Sequence, residues 1–144
     1  MTLPTLPQHP FGKHISAADL SAKLAAAPSW EAKNRLLVQL AKEIPSLTFE
    51  QRSAEAKVSG CESQVWLHIH AAGGVYFIYA DSDSKIIKGL LALVLAAFHG
   101  KSAFEIQAVD FNAWLDDLGL RRFLSASRGN GLKAIVAAIK SRAV

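Results

Sequence analysis

The segment from Ser84 to Phe98 constrains the fold of this chain more than any other. Its large apolar side chains recur at helical spacing and nearly encircle the predicted helix: Ile86, Ile87, Leu90, Leu91, Val94, Leu95 and Phe98. A helix that is apolar on nearly every side must be covered by other elements, so we expect it to form the core. The pattern predicts an N-cap at Ser82 or Asp83 and an end at Gly100. The apolar run is shorter than the roughly 20 residues that cross a membrane, so no membrane span is predicted.

Before this helix, the hydrophobic pattern changes to the period of a strand. Val65, Leu67, Ile69 and Ala71 alternate with Trp66, His68 and His70. Gly73-Gly74 then predicts a hairpin turn, because both glycines tolerate positive φ, and 75–80 returns as the partner strand. A short third strand is predicted over 56–58. The resulting class is α+β: a small antiparallel sheet of about three strands with helices packed mainly on one face.

Capping residues and helical spacing predict the remaining helices. The predicted segments are a helix that begins with a capping box at Ser16 and runs to Ala26, one capped by Ser29 whose apolar face includes Trp30 and Leu37, a short one over 48–54, two more over 102–108 and 111–118, and a last one that starts after Ser127 or Gly129. No repeat or linker divides the sequence, so residues 1–144 are expected to form one domain. Residues 1–15 are rich in Pro and His and are predicted to form an extended N-terminal arm.

Cys61 is the only cysteine of the chain and lies in the turn before the first predicted long strand. It cannot form an internal disulfide. It also supplies one soft ligand where structural zinc or an iron–sulfur cluster usually takes three or four, so no metal site is predicted at the cysteine. An unpaired cysteine and the absence of an apolar leader pattern favour a reducing cytosol, and we expect a cytoplasmic protein.

The residues around Cys61 leave two interpretations open, an inert buried thiol and a nucleophile. Only the thiolate is a good nucleophile, and a free thiol with a pKa of about 8.5 is only slightly ionised at neutral pH. Arg128, or backbone amides of the turn at Gly60, would favour the thiolate. Glu62 would disfavour it if its carboxylate pointed at the sulfur.

Two alternatives come from histidines and from charge. His68 and His70 share a strand face, so they suggest either a metal pair, for which no third ligand is visible, or a base for a cysteine-dependent hydrolase that uses Cys61. Residues 118–144 contain six basic residues and no acidic one: Arg121, Arg122, Arg128, Lys133, Lys140 and Arg142. This basic end indicates a solvated helix surface, an acidic partner, or a nucleic-acid-binding module. The last of these is the weakest, because no aromatic residue follows Phe123.

The segment from Ser59 to Leu67 resembles the cysteine segment of the SufE/CsdE family of sulfur-acceptor proteins. Three further blocks resemble that family in the same order: Trp30-Glu31-Ala32-Lys33 with Ile44-Pro45, the run from Asp81 to Leu90, and the run from Ser127 to Leu132. The opening His9-Pro10-Phe11-Gly12 is more similar to the CsdE branch.

The resemblance implies that Cys61 takes persulfide sulfur from a pyridoxal-phosphate-dependent cysteine desulfurase of the SufS or CsdA kind. The chain would stimulate that enzyme and pass the sulfur to an iron–sulfur scaffold or another acceptor. It would act as a carrier and activator without independent turnover, and it would need no cofactor, because the pyridoxal phosphate belongs to the desulfurase. Arg128 is the candidate for stabilising the thiolate. The residues expected to meet the partner are Gly60, Glu62, Ser63, Gln64 and Trp66.

Overall fold

The computed structural model describes residues 6–58, 63–121, 124 and 126–144, without the side chains of 126–128. In chain order its elements are α1 (Ala17–Ala26), α2 (Trp30–Lys42), β1 (Val65–Ala72), β2 (Val75–Ser82), α3 (Lys85–Phe98), α4 (Ala103–Ala108), α5 (Phe111–Asp117) and α6 (Ala126–Arg142). The capping box at Ser16 and the cap at Ser29 are confirmed. So are the two short helices before α6, which Ser102 and Asp110 cap.

Helix α3 is the core element, as its apolar pattern predicts. Every residue from Gly89 to Phe98 is buried. The predicted cap was wrong by one or two residues, because Ser84 accepts the hydrogen bond from the Ile87 N–H at 3.3 Å. Within the described part of the chain, no helix has the length and apolar character needed to cross a membrane.

The backbones of helices α2 and α3 approach each other closely at Gly89. A Cβ atom added to Gly89 would lie 2.5 Å from the Leu37 carbonyl oxygen, well inside van der Waals contact. The absence of a side chain at position 89 therefore lets the two helix backbones meet. By contrast, Trp30 at the start of α2 is 47% exposed, so its predicted place on the buried face was wrong. The helical repeat continues to Trp30, but the neighbouring core does not extend that far.

The sheet is an antiparallel hairpin of β1 and β2, with register running from Val65 opposite Ser82 to Ala72 opposite Val75. Gly73 and Gly74 form its turn with φ of 61° and 81°, as predicted. The α+β class is confirmed, but the described residues contain two strands, not about three.

The predicted third strand, 56–58, is reduced to a single bridge between Lys57 and Trp66. The Val58 N–H donates to the Val65 carbonyl at 2.9 Å, and the Leu67 N–H donates to the Ala56 carbonyl at 2.8 Å. The Ala56 N–H does not continue this ladder, because it donates to the Ser53 hydroxyl at 3.2 Å. Local side-chain bonding therefore ends the pairing after one bridge.

The helix predicted over 48–54 was also wrong, since this segment forms only turns. The Thr48 N–H donates to the Gln51 side-chain oxygen at 2.9 Å, and the Gln51 N–H donates to the Thr48 hydroxyl at 3.2 Å. The Arg52 N–H closes one helical turn on the Thr48 carbonyl at 3.0 Å. The reciprocal bonds resemble a helix start, but no helix follows it.

Two buried histidines cover the edge of β2 that faces away from β1. The Ile78 N–H donates to His99 Nδ1 at 2.9 Å, and His9 Nε2 donates to the Ile78 carbonyl at 2.8 Å. The two rings lie 4.2 Å apart between centroids. Further along this edge, the Tyr76 N–H donates to the Lys101 carbonyl at 2.9 Å. The side chains and backbone of distant segments therefore satisfy groups that a third strand would otherwise pair.

Both histidines are held in the neutral form. Burial lowers the pKa of His99 to about 4, and the neighbouring His9 lowers it as well. The contact of Nδ1 with the Ile78 carbonyl, at 2.9 Å, acts in the opposite direction but does not offset them. Burial also lowers the pKa of His9, although its bond to the Ile78 carbonyl acts in the opposite direction. A neutral imidazole has one donor nitrogen and one acceptor nitrogen. His99 can therefore accept the Ile78 N–H, and His9 can donate to the Ile78 carbonyl.

This arrangement predicts a loss of stability in mild acid. In the unfolded chain both imidazoles have a pKa of about 6.5. Below that pH the unfolded chain binds protons more readily than the buried rings do, so protonation favours unfolding. The free energy of unfolding should therefore be highest above about pH 6.5 and should fall as the pH drops toward 4. Urea unfolding at about pH 7 and pH 5 measures this loss.

The His99→Asn variant, whose carboxamide oxygen can accept the Ile78 N–H without titrating, should lose less stability between the two pH values. The exposed His70 gives the matched control, and His70→Asn should lose as much as the wild type. An equal loss in His99→Asn would contradict the assignment.

Candidate functional site

The predicted nucleophile lies outside the described residues. This also holds for its neighbours Gly60 and Glu62 and for the side chain of Arg128. The structure describes the two flanks of the cysteine segment, which end at Val58 and begin again at Ser63. The hydrogen bonds of these flanks fix the two points between which the segment with Cys61 runs.

A backbone hydrogen bond joins the two flanks. The Val58 N–H donates to the Val65 carbonyl at 2.9 Å, so the chain leaves and re-enters the sheet at one point. Ser63 is half-buried and Gln64 is exposed beyond this bond. The segment that contains Cys61 therefore connects two positions that are fixed relative to each other.

Gln64 is anchored through its backbone to the end of β2. Its N–H donates to Asp83 Oδ1 at 3.1 Å. Its carbonyl accepts from the Ser82 hydroxyl at 2.8 Å and from the Asp83 N–H at 3.3 Å. These hydrogen bonds use both backbone groups of Gln64 and leave its side chain in solvent.

Asp81 lies next to this anchor and is fully buried. Its carboxylate pairs with Arg52 at 2.8 Å and with Lys88 at 3.1 Å, and it accepts from the N–H groups of Leu47 at 3.0 Å and Ser82 at 2.8 Å. Burial is the largest single influence on the pKa of Asp81 and raises it. The hydrogen bonds from Leu47, Lys88 and Ser82, with the charge of Lys88, together outweigh burial and hold the pKa below its ordinary value. The carboxylate is therefore ionised at neutral pH.

The cluster of Asp81, Arg52 and Lys88, hereafter the Asp81 cluster, contains one negative and two positive charges. The carboxylate is buried, whereas the side chain of Arg52 is 35% exposed and that of Lys88 is 16% exposed. The excess positive charge of the cluster therefore lies toward solvent.

Trp66, the second residue of β1, has a ring that is covered by other residues. It is 7% exposed and packs with Leu47 and Ala56, and the Arg52 guanidinium carbon lies 4.8 Å from the centroid of its ring. Arg52 therefore contacts both the Asp81 carboxylate and this aromatic face. The Trp66 ring joins the 47–52 turn to β1.

The histidines of β1 have their own contacts. His68 Nε2 donates to the Gln51 carbonyl at 2.7 Å, and the exposed His70 ring meets Tyr79 edge to face at 6.3 Å. Among the described residues, no group of three or more His, Cys, Asp or Glu side chains could hold a metal ion. The hydrolase alternative stays a prediction, because Cys61, its nucleophile, lies outside the described residues.

Helix α6 borders the preceding flank of the cysteine segment. A cleft of about 540 Å³ separates them, and its apolar lining includes Val58, Leu67 and Ile69 on one side and Ala134 and Ala138 on the other. Two residues of the basic end predicted from the sequence have local partners. Arg121 pairs with Asp116, and Lys140 Nζ donates to the Val109 carbonyl at 2.7 Å.

Sequence reasoning missed Arg52, Lys88 and Ser82 as supports of the site. It ended β2 at Ala80 and assigned Ser82 or Asp83 to the cap of α3. The strand instead runs on to Ser82, which places Asp81 opposite the buried Trp66 in the sheet register. A prediction that continued the strand past Ala80 would have paired Asp81 with Trp66. It would then have placed both side chains on the same face of the sheet.

Comparisons with known proteins connect this chain to a family. Residues 18–143 match the family model described as SufE, Fe-S metabolism associated domain. The chain is 42% identical over 140 residues to the sulfur acceptor protein CsdE of Escherichia coli strain K12, covering 96% of this chain and 95% of CsdE. It is also 42% identical over 118 residues to an uncharacterized SufE-like protein of Rhizobium etli, covering 79% of this chain and 80% of that protein.

A solved structure shares the fold. The solution structure of a hypothetical protein from Thermus thermophilus matches with a TM-score of 0.72 over 90% of this chain and 93% of that one. The two sequences are 18% identical, so this match concerns the fold alone.

The anchor at Gln64 predicts how the cysteine segment responds when Asp83 is changed. Asp83→Ala removes the acceptor of the Gln64 N–H and should loosen the following flank, at a stability cost of about 1 kcal/mol. Cys61 should then react faster with iodoacetamide, measured by intact mass against time. Asp19→Ala is the matched control, because Asp19 accepts the Ser16 N–H in the same manner at the start of α1. Unchanged alkylation in Asp83→Ala, or equal acceleration in both variants, would show that this hydrogen bond does not restrain the segment.

Proposed function

Because the chain belongs to the SufE family, we propose that it accepts a sulfur atom on Cys61 from a cysteine desulfurase and passes it to another acceptor. The observation that carries the proposal is the 42% identity to a sulfur acceptor protein over 96% of the chain. The chain offers one thiol for this purpose, since Cys61 is its only cysteine. Residues 1–144 act in this role as one sulfur-acceptor domain, with 1–15 as an N-terminal arm.

The transfer step is a displacement between two sulfur sites. The Cys61 thiolate attacks the terminal sulfur of a persulfide on the desulfurase cysteine. A new sulfur–sulfur bond forms on Cys61 as the one in the desulfurase breaks, and the bonding electron pair leaves with the desulfurase sulfur as a thiolate. No external oxidant or reductant is needed, because the transferred sulfur atom keeps its oxidation state. Removing the persulfide frees the desulfurase for another turnover, which is how a carrier stimulates it.

The flanks of the cysteine segment support this step by limiting where the sulfur can go. Asp83 and Ser82 hold the backbone of Gln64, and Val58 is bonded to Val65, so both ends of the segment start from fixed positions. A segment with fixed ends loses less conformational entropy when it enters a partner. Exposed Gln64 and half-buried Ser63 are proposed to meet that partner, and Arg128 is proposed to stabilise the thiolate.

The partner is a pyridoxal-phosphate-dependent cysteine desulfurase, which supplies the cofactor chemistry that releases sulfur from free cysteine. The persulfide on Cys61 then serves an iron–sulfur assembly scaffold or another thiol acceptor. This role fits a reducing compartment such as the cytoplasm, where an unpaired thiol persists.

Cys61→Ser tests the proposal directly. Incubated with a cysteine desulfurase and free cysteine, the wild type should gain the mass of one sulfur atom, removable by a reductant. The serine variant should gain none and should still bind the desulfurase, because only the sulfur is replaced. Intact mass spectrometry measures the adduct, and a pull-down measures binding. A reducible sulfur adduct on the serine variant, or none on the wild type, would refute Cys61 as the acceptor.

A further inference from the structure

Phe49 is the most exposed aromatic side chain of the described surface, at 91%. Single exposed apolar residues are common on soluble proteins, and exposure alone does not indicate a binding surface. Phe104 is exposed to a similar degree, at 84%. What separates the two is the structure beneath Phe49.

Phe49 lies at the tip of a turn that is bonded within itself. Thr48 and Gln51, on either side of the tip, exchange hydrogen bonds between backbone N–H groups and side-chain oxygens at 2.9 and 3.2 Å. The Arg52 N–H donates to the Thr48 carbonyl at 3.0 Å. The backbone that carries Phe49 is therefore constrained on both sides of the aromatic residue.

The same turn is fixed to the sheet at three places. The Leu47 N–H and the Arg52 guanidinium both bind the buried Asp81 carboxylate, at 3.0 and 2.8 Å. The Gln51 carbonyl accepts from His68 at 2.7 Å. A side chain displayed on such a base loses little backbone freedom on binding, and a phenyl group has only two rotatable angles to immobilise.

The base of this turn is also the base of the cysteine segment. Asp81 accepts the Ser82 N–H at 2.8 Å, and the Ser82 hydroxyl donates to the Gln64 carbonyl at 2.8 Å. Two hydrogen bonds thus connect Asp81, which anchors the Phe49 turn, to Gln64 in the flank that follows the cysteine segment. Both features belong to the same end of the hairpin.

We propose that Phe49 is an aromatic anchor for the cysteine desulfurase, inserting into an apolar recess of that enzyme beside the opening that admits Cys61. This inference rests on the proposed function. The exposed polar residues Glu50, Gln64 and Asp83 belong to the same end of the molecule and supply the polar rim that surrounds aromatic anchors in protein interfaces. The partner is the desulfurase because that protein must contact this end of the hairpin to reach Cys61.

Phe104 provides the matched control. It lies in α4, which begins after the bridge between Lys101 and Tyr76. Tyr76 and Ser82 are six positions apart in β2, about 20 Å along a strand. Phe104 therefore has the same chemistry and similar exposure but belongs to the opposite end of the hairpin.

The experiment measures sulfur uptake by the wild type, Phe49→Ser, Phe49→Leu and Phe104→Ser from a purified desulfurase supplied with cysteine. The concentration of each chain that gives half-maximal persulfide formation should rise about tenfold or more in Phe49→Ser, the usual loss for an interface anchor. Phe49→Leu should recover part of the loss, and Phe104→Ser should stay within about twofold of the wild type. The maximal rate at saturation should be unchanged in all four chains, because the sulfur chemistry is untouched.

Each other result overturns the inference. Equal responses of Phe49→Ser and Phe104→Ser would do so, as would a lowered maximal rate with an unchanged half-maximal concentration. Loss of a wild-type dimer in Phe49→Ser, seen by sedimentation without a change in sulfur uptake, would assign the residue to self-association instead. Failure of the proposed function is distinct, because the wild type itself would then gain no sulfur.

Discussion

The buried carboxylate of Asp81 is the group on which this end of the molecule depends. An ionised carboxylate removed from water is costly unless charges and hydrogen bonds replace its hydration. Here the donors come from different parts of the chain: the 47–52 turn, the following residue of β2 and the first turn of α3. One side chain therefore fixes a turn, a strand end and the core helix relative to each other. Removal of any one partner would leave the others around an under-compensated charge.

This cluster explains why a segment remote from the cysteine in sequence belongs with it in structure. The block from Asp81 to Leu90 resembles the SufE/CsdE family, and successive residues of it have separate structural tasks. Ser82 and Asp83 bind the backbone of Gln64, and Ser84 caps α3. Lys88 pairs with Asp81, and the absence of a side chain at Gly89 allows α2 to contact α3. The block is thus a support for the cysteine segment, built at the junction of β2 and the core helix.

Local features of the sequence predicted the parts of the fold that local physics determines. The capping box at Ser16, the paired glycines at 73 and 74 and the apolar pattern of α3 each specify a backbone conformation within a few residues. Tertiary contacts decided the rest. Arg52 and Asp81 are 29 positions apart, and His9 is 69 positions from Ile78, the residue whose edge it covers. The period of a helix also placed Trp30 on a buried face, because periodicity cannot show where the neighbouring core ends.

The same division holds for the candidate site. The lone cysteine in a turn, with the family resemblance, was sufficient to predict a sulfur acceptor. The supports of its flanks were not predictable, because an acidic residue before a helix is interpreted as a cap until its strand register is known. Arg52 gave no signal in the sequence, since a basic residue in a polar turn is ordinary.

We expect the Asp81 cluster and the anchor at Gln64 to behave as one mechanical unit. Amide hydrogen exchange in Arg52→Gln tests it most directly, because this change weakens the cluster at its most exposed member and leaves Lys88 on the carboxylate. We expect the amides of Leu47 and Gln64 to exchange faster by similar factors, while Leu91 in α3 keeps its wild-type rate. Faster exchange at Leu47 with an unchanged rate at Gln64 would contradict the claim, because the turn and the cysteine segment would then be held independently.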